Sequence, residues 1–210
     1  DGRVSDGHEA HSRKERRMRR GEYARKTGET DVTVRLNLDG AGGREIRTGV
    51  GFFDHMLELF AFHARFDAEI ACAGDLRVDA HHTVEDTGIA LGIAFRQALG
   101  GGAGIRRYGD CLLPMDESLV LAAADVSGRG VLRYDIVTPA QKVGDFDCEL
   151  IREFFAAFCR ASGVTLHLRA LAGENSHHML EAAFKAFARA LREAVSADGE
   201  DLPSTKGVLL

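Results

Sequence analysis

"HHTVEDTGIALGIAFRQALG" at 81–100 and "NSHHMLEAAFKAFARALREAV" at 175–195 carry one pattern twice: two adjacent histidines, with a glutamate three residues after the second. Each continues as a helical run of apolar residues, and the first is closed by glycines. Superposing the two HHxxE segments relates position 81 to position 177, a shift of 96. Working outward, "FFDHMLELFAFHA" at 52–64 keeps Phe53, Met56, Leu57, Phe60 and Ala64 near one face, the spacing of an amphipathic helix. "FDAEIACAG" after it reads as a strand, and "TDVTVRLNLDG" from 30, followed by "REIRTG", reads as a strand pair around the turn signal "DGAGG". The first half is thus strand, strand, helix, strand, helix.

After the Gly-rich joint "GGGAGIRRYGD" at 100–110 the order returns in "SLVLAAADVSG", "VLRYDIV", "CELIREFFAAFCRAS", "GVTLHLRA" and the second HHxxE helix. Matching Met56 and Leu57 with Phe154 and Phe155 gives a shift of 98, so a two-residue loop difference separates the helix pairs. One α+β unit has been duplicated. The predicted layout is a polar, flexible N-terminal extension over 1–28, a first repeat over 29–104, a second over 105–197 and a C-terminal tail over 198–210.

The chain has 210 residues, 45% hydrophobic and 28% charged, enough to bury a sizeable core. A net charge of -5 and a pI near 6.0 give no general attraction to nucleic acid or an acidic membrane, so any anion site must be local. The basic run "RKERRMRR" at 13–20, with His8 and His11 nearby, reads as a solvated tail. The four cysteines, Cys72, Cys111, Cys148 and Cys159, form no C-x-x-C pair, which fits a reducing compartment and no thiolate metal site. Neither a membrane-spanning run nor an apolar signal core is evident, so the expected location is the cytoplasm.

Adjacent helical side chains diverge by about 100°, so neighbouring imidazoles suit two ions rather than one. Glu85 lies i+4 from His81 and i+3 from His82, sharing a face with either, and Glu181 repeats this with His177 and His178. Under the shift of 98, His55 falls on Glu153, and both can coordinate. Mixed imidazole and carboxylate sets without thiolate suit manganese, iron or zinc. Glu153 reads equally as an exposed helix carboxylate. His167, in "TLHLRA", is a competing candidate, and His63 can reach the site without binding metal.

At these residues the chain resembles the imidazoleglycerol-phosphate dehydratases. The resemblance runs from "RKTGET" at 25–30 through "GVGFFDHMLELFAFH", "DAHHTVEDTGIALG", "GIRRYG", "PMDESL", "DVSGRG", "ELIREFF" and "TLHLRALAGENSHHMLEAAFKAFARAL" to "PSTKG" ending at 207. It implies two fused ferredoxin-like halves of the ribosomal S5 domain 2 type, with sheets on one side and helices on the other. It also implies a particle of 24 subunits and two Mn2+ ions per active site, in sites built between subunits. The family pattern places His55, His82, Glu85 and His178 in one metal set and His81, Glu153, His177 and Glu181 in the other. Some relatives have His where Glu153 stands. Arg107, Arg129, Ser204 and Lys206, with Thr205 between them in "STKG", fall on the phosphate-binding positions, where Arg forks fit phosphate oxygens.

The reaction so implied, in histidine biosynthesis, dehydrates imidazole glycerol phosphate to a keto phosphate. The hydrogen removed has no neighbouring carbonyl, so an ordinary carboxylate cannot take it unaided. The resemblance offers metal-bound imidazolate as the electron source and a diazafulvene-like intermediate that acidifies the C–H. The candidate base is Glu29 in "TGET", with Glu181 as runner-up, and His55 and His82 beside them in catalysis. A binuclear metallohydrolase is the rival reading, although no H-E-x-x-H is present. A structural metal-binding assembly or an RNA-binding S5-like relative is the other, and net charge disfavours the RNA version.

Overall fold

In β2 (Thr30–Asn37) Val32, Val34 and Leu36 are buried while Asp31 and Arg35 face water, the alternation of a strand with one face on a core. A computed structural model describes residues 18–207 and residue 209. Its first half is β1 (Arg20–Lys26), β2, β3 (Arg44–Arg47), α1 (Gly51–Ala64), β4 (Asp67–Gly74) and α2 (His81–Leu99). Its second is β5 (Tyr108–Met115), β6 (Ser118–Val126), β7 (Leu132–Asp135), a hairpin of β8 (Lys142–Val143) and β9 (Phe146–Asp147), α3 (Glu149–Ser162), β10 (Val164–Ala172) and α4 (Ser176–Ala194).

The duplication is visible in the registers. Sheet order is β1-β2-β4-β3 in one half and β5-β6-β10-β7 in the other. Val34 lies opposite Ile70, and Ala122 opposite Leu168, relating 34 to 122 and 70 to 168. The jump in shift falls between β3 and α1, where the link is 48–50; its counterpart is 136–148 and carries the β8–β9 hairpin. The link before α4, 173–175, is three residues shorter than 75–80 before α2, and α4 opens one residue ahead of its first histidine, which leaves the two-residue difference read from the sequence.

Three expectations change. Each half begins with one more strand, β1 or β5, so residues 20–26 of the supposed extension are part of the first sheet, paired along β2. The rest of that extension, including His8, His11 and most of the basic run, lies outside the described residues. β2 and β3 do not pair with each other: β4 lies between them, antiparallel to β2 and parallel to β3, because the chain returns through α1. Finally, helices cover one face of each sheet, but the halves meet helix to helix, α1 on α4 and α2 on α3, so the helices are central.

That shared layer is aromatic. Phe60 stacks on Phe187 at 5.3 Å, Phe53 meets Phe154 edge-on at 5.4 Å, and Phe95 meets Phe158 at 5.7 Å, so each contact joins the two repeats. Phe155, fully buried, touches Phe154, Phe184 and Phe187. Gly21 in β1 and Gly109 in β5 are equivalent and serve one purpose. A Cβ at either would run into a helix carbonyl, that of Ala94 in α2 or Ala190 in α4. These strands meet their helices backbone to backbone. No helix among the described residues is long and apolar enough to cross a membrane.

Candidate metal centre

Both HHxxE segments open their helices. Asn175, the N-cap of α4, accepts the N–H groups of His177 and His178 on Oδ1 at 2.9 and 3.2 Å, whereas the N-cap of α2 is Ala80 and Asp79 just before it accepts the His81 N–H at 2.7 Å. The adjacent rings diverge: His81 and His82 are 6.0 Å apart at 88°, His177 and His178 6.2 Å apart at 80°.

His177 Nε2 is 3.0 Å from Glu181 Oε2, one turn along, and His55 Nε2 reaches the same oxygen at 3.3 Å from α1. All three donors lie within 4.8 Å of one another, the one such group found among the described residues. The nearly buried Glu181 divides its oxygens, since Oε1 accepts from Lys185 Nζ at 2.6 Å. Burial pushes its carboxyl up, but Lys185, His177 and His55 outweigh this and hold it below the usual value. It stays an anion, as a ligand must. Phe52 lies edge-on to His177 at 5.3 Å and limits that ring's freedom. His63 belongs to the same corner: burial, then Lys185 and Arg189, push its imidazole down.

In the other half His81 Nε2 stands 3.9 Å from Glu85 Oε2, while Arg160 of α3 donates to Glu85 Oε1 at 3.0 Å. Glu153 accepts from its neighbour Arg152 at 3.1 Å and joins no donor cluster. Within one chain His55 sits with His177 and Glu181, because α1 packs on α4. His167, the competing candidate, is exposed on β10, on the face opposite the buried Leu166 and Leu168, and so points away from the helices.

His82 and His178, equivalent in the repeat, stand outside that cluster. Asp75 Oδ2 is 3.0 Å from His82 Nδ1, and Glu117 Oε2 is 2.7 Å from His178 Nδ1; each contact raises the imidazole above its ordinary value. Glu29 Oε1 is 3.7 Å from His82 Nε2, with its side chain 57% exposed.

A second group forms around Asp125. It accepts from Arg107 Nε at 2.8 Å and from Arg129 Nη2 at 3.0 Å, while Arg107 Nη1 donates to the Pro203 carbonyl at 2.9 Å. Arg107 has φ 74, unusual for a non-glycine residue, and lies over the Tyr108 ring at 4.8 Å. Two expected anchors thus meet beside the turn that leads into Ser204, with Thr205 and Lys206 exposed after it. The Arg107 N–H is bonded to the Ala194 carbonyl, at the C-terminal end of α4, whereas His177 and His178 sit at its other end.

Sequence reasoning missed Asp75, Glu117, Asp125 and Lys185. Glu117 carried a signal, for it stands to β6 as Glu29 stands to β2, and so did Lys185, four residues after Glu181 on one helix. Asp75 and Asp125 depend on which loops become neighbours.

A duplicated α+β fold with an imidazole–carboxylate cluster at a helix N-terminus defines an enzyme scaffold with a candidate metal centre. The family model described as imidazoleglycerol-phosphate dehydratase matches residues 48–191. The chain belongs to that family of metal-dependent hydro-lyases (EC 4.2.1.19) of histidine biosynthesis. It is 56% identical over 195 residues to a Jannaschia protein of that name, covering 91% of this chain and 100% of the relative. A Symbiobacterium thermophilum relative of the same name is 58% identical over 191 residues, 90% of this chain and 92% of its own. The Staphylococcus aureus dehydratase crystal structure matches with a TM-score of 0.78 at 37% identity, covering 85% of this chain and 99% of that one. The Pyrococcus furiosus structure gives 0.78 at 38%, covering 89% and 100%. The hydrolase and RNA-binding readings are set aside on these matches.

Proposed function

We propose that His55, His81, His82, Glu85, Glu153, His177, His178 and Glu181 hold two Mn2+ ions per active site, and that each site is completed by a neighbouring subunit in a cytoplasmic particle of 24 chains. The observation that carries the shared site is the length of α4. Its 19 residues span about 28 Å, with the imidazoles at one end and the Arg107 and Arg129 cluster at the other. A three-carbon phosphate bearing one ring is far too short to touch both ends. Its phosphate and its ring are therefore held by residues of different chains. His81, His82, Glu85, Glu153 and His178, outside the His55–His177–Glu181 group, are the donors left to reach across.

The donor set admits the ion, since imidazole and carboxylate without thiolate suit manganese as they do iron or zinc. When bound, the ions supply Lewis acidity that holds the substrate's imidazole as imidazolate, able to drive out the neighbouring hydroxyl. The protein's own groups do the remaining work. Arg107, Arg129, Ser204, Thr205 and Lys206 hold the phosphate and fix the ring's position. The hydroxyl leaves as water with the proton that the ring gives up; Glu29, exposed and close to the Nε2 edge of His82, takes the proton from the adjacent carbon, and that proton is returned as the enol relaxes to the ketone. Glu181, tied to Lys185, His177 and His55, is a better ligand than base. His63 lines the same corner and can contact substrate.

The test is to strip the protein with chelator, restore Mn2+, and follow keto-phosphate formation from imidazole glycerol phosphate together with particle size. Turnover should need both the ion and the assembly. His82→Ala and His178→Ala should each abolish turnover in a folded protein, and Arg129→Ala should chiefly raise KM. Full activity in metal-free protein or in dissociated chains overturns the reading.

A further inference from the structure

His82 and His178 sit in matching surroundings built from unmatched parts. Each ring has a carboxylate at Nδ1 and a second one 3.7 Å from Nε2, namely Asp75 and Glu29 for His82, Glu117 and Asp116 for His178. In repeat terms Glu117 is the counterpart of Glu29, not of Asp75: the two precede β6 and β2 at the same place. The glutamate that stands off the Nε2 side in one half has become the Nδ1 partner in the other. Asp75, on the loop after β4, takes the Nδ1 position in the half where Glu29 does not. Two halves have thus reached one contact by different routes, which simple inheritance from the duplicated unit does not produce.

We infer that Asp75 and Glu117 are positioning residues, each accepting the Nδ1 proton of its histidine and so fixing the tautomer that leaves the Nε2 lone pair free for a metal ion. A neutral imidazole has one N–H and one acceptor nitrogen, and the partner of one nitrogen decides the role of the other. The inference rests on the metal-centre reading proposed above and adds what aims two of its ligands. Glu117 is itself held firmly. Its Oε1 accepts the N–H groups of Glu174 and Asn175 at 3.2 and 2.9 Å and the Ser118 hydroxyl at 3.0 Å, which leaves Oε2 for the ring. Asp75 is freer, with both oxygens within 3.1 Å of His82 Nδ1.

That difference makes the two amide variants unequal. In Glu117→Gln, the backbone donors keep the amide oxygen where Oε1 was and turn the NH2 toward His178. Nδ1 must then accept, and the proton moves to Nε2, where it blocks the metal. In Asp75→Asn the amide can rotate to keep oxygen on Nδ1, so the tautomer survives. Removing such an outer partner of a metal-binding histidine typically lowers metal affinity roughly 10- to 100-fold. We therefore expect Mn2+ titration of chelator-stripped full-length protein to show that loss for Glu117→Gln and for Asp75→Ala, and a change of less than about threefold for Asp75→Asn on the same scale. Circular dichroism and metal-free melting should match wild type in Glu117→Gln, since the backbone bonds remain. In a His178→Ala background, Glu117→Gln should add no further loss.

Wild-type-like Mn2+ affinity in folded Glu117→Gln overturns the inference and leaves the metal centre standing. So does an equal loss with and without His178, which marks Glu117 as a structural brace. If the wild type itself takes up no Mn2+, the metal-centre reading falls first and this inference with it.

Discussion

Glu181→Gln tests the centre where its geometry is most complete. The side chain is 9% exposed and its two oxygens serve different partners, Lys185 at 2.6 Å and the rings of His177 and His55 at 3.0 and 3.3 Å. The amide keeps the shape and removes the charge. In metal-free protein the Lys185 bond changes from charge-to-charge to charge-to-neutral, a loss of about 1.5 kcal/mol, or ~3–6 °C in melting temperature for a chain of this size. The pH dependence has a definite sign. The carboxyl is held below its unfolded value of 4.5, so its contribution is complete above that pH and is lost as pH falls through the lower folded value. The wild-type advantage over the variant should therefore shrink only below about pH 4.5. Metal affinity should fall further than for an outer partner, by on the order of 100-fold or more, equivalent to about 2.8 kcal/mol. Calorimetry with and without Mn2+ reads both quantities. A variant that binds Mn2+ within threefold of wild type, or melts identically without metal, refutes the reasoning.

Gly109→Ala and Gly21→Ala should each destabilise by about 2 kcal/mol or more in denaturant unfolding, because the added methyl meets a helix carbonyl; Gly101→Ala, with open space around it, should be nearly silent. Phe155→Ala should cost about 3–5 kcal/mol, since its ring joins aromatics of both α3 and α4. Burial pushes the Cys159 thiol up to about 12, so in a thiol-reagent assay at pH 8 it should react only on unfolding, after the half-buried Cys111.

How far the sequence could be read depends on what each position does. The four helices and the inner strands were legible because Phe, Leu and Val mark their buried faces at regular spacing. β1 was not, because its inward positions are Gly21, Tyr23 and Arg25, which make no apolar row; in β5 the inward Gly109, Cys111, Leu113 and Met115 are masked by the outward Leu112 and Pro114. The repeated HHxxE disclosed the candidate ligand types. It could not disclose that His55 pairs with the second copy, since spacing along a helix says nothing of which helix lies alongside. Asp125 was hidden for a similar reason: it matters only because Arg107 and Arg129 fold onto it from separate loops.

Under the shared-site proposal, the placement of imidazoles and arginines at opposite ends of α4 makes competence a property of neighbours rather than of single chains. Two defective proteins, one crippled at Arg129 and the other at His178, should on co-assembly regenerate some intact sites, because a junction can draw its sound ring-binding end from one parent and its sound phosphate end from the other. By the same logic a surface substitution far from any reacting atom, if it only loosens packing between subunits, would silence turnover as thoroughly as the loss of a ligand.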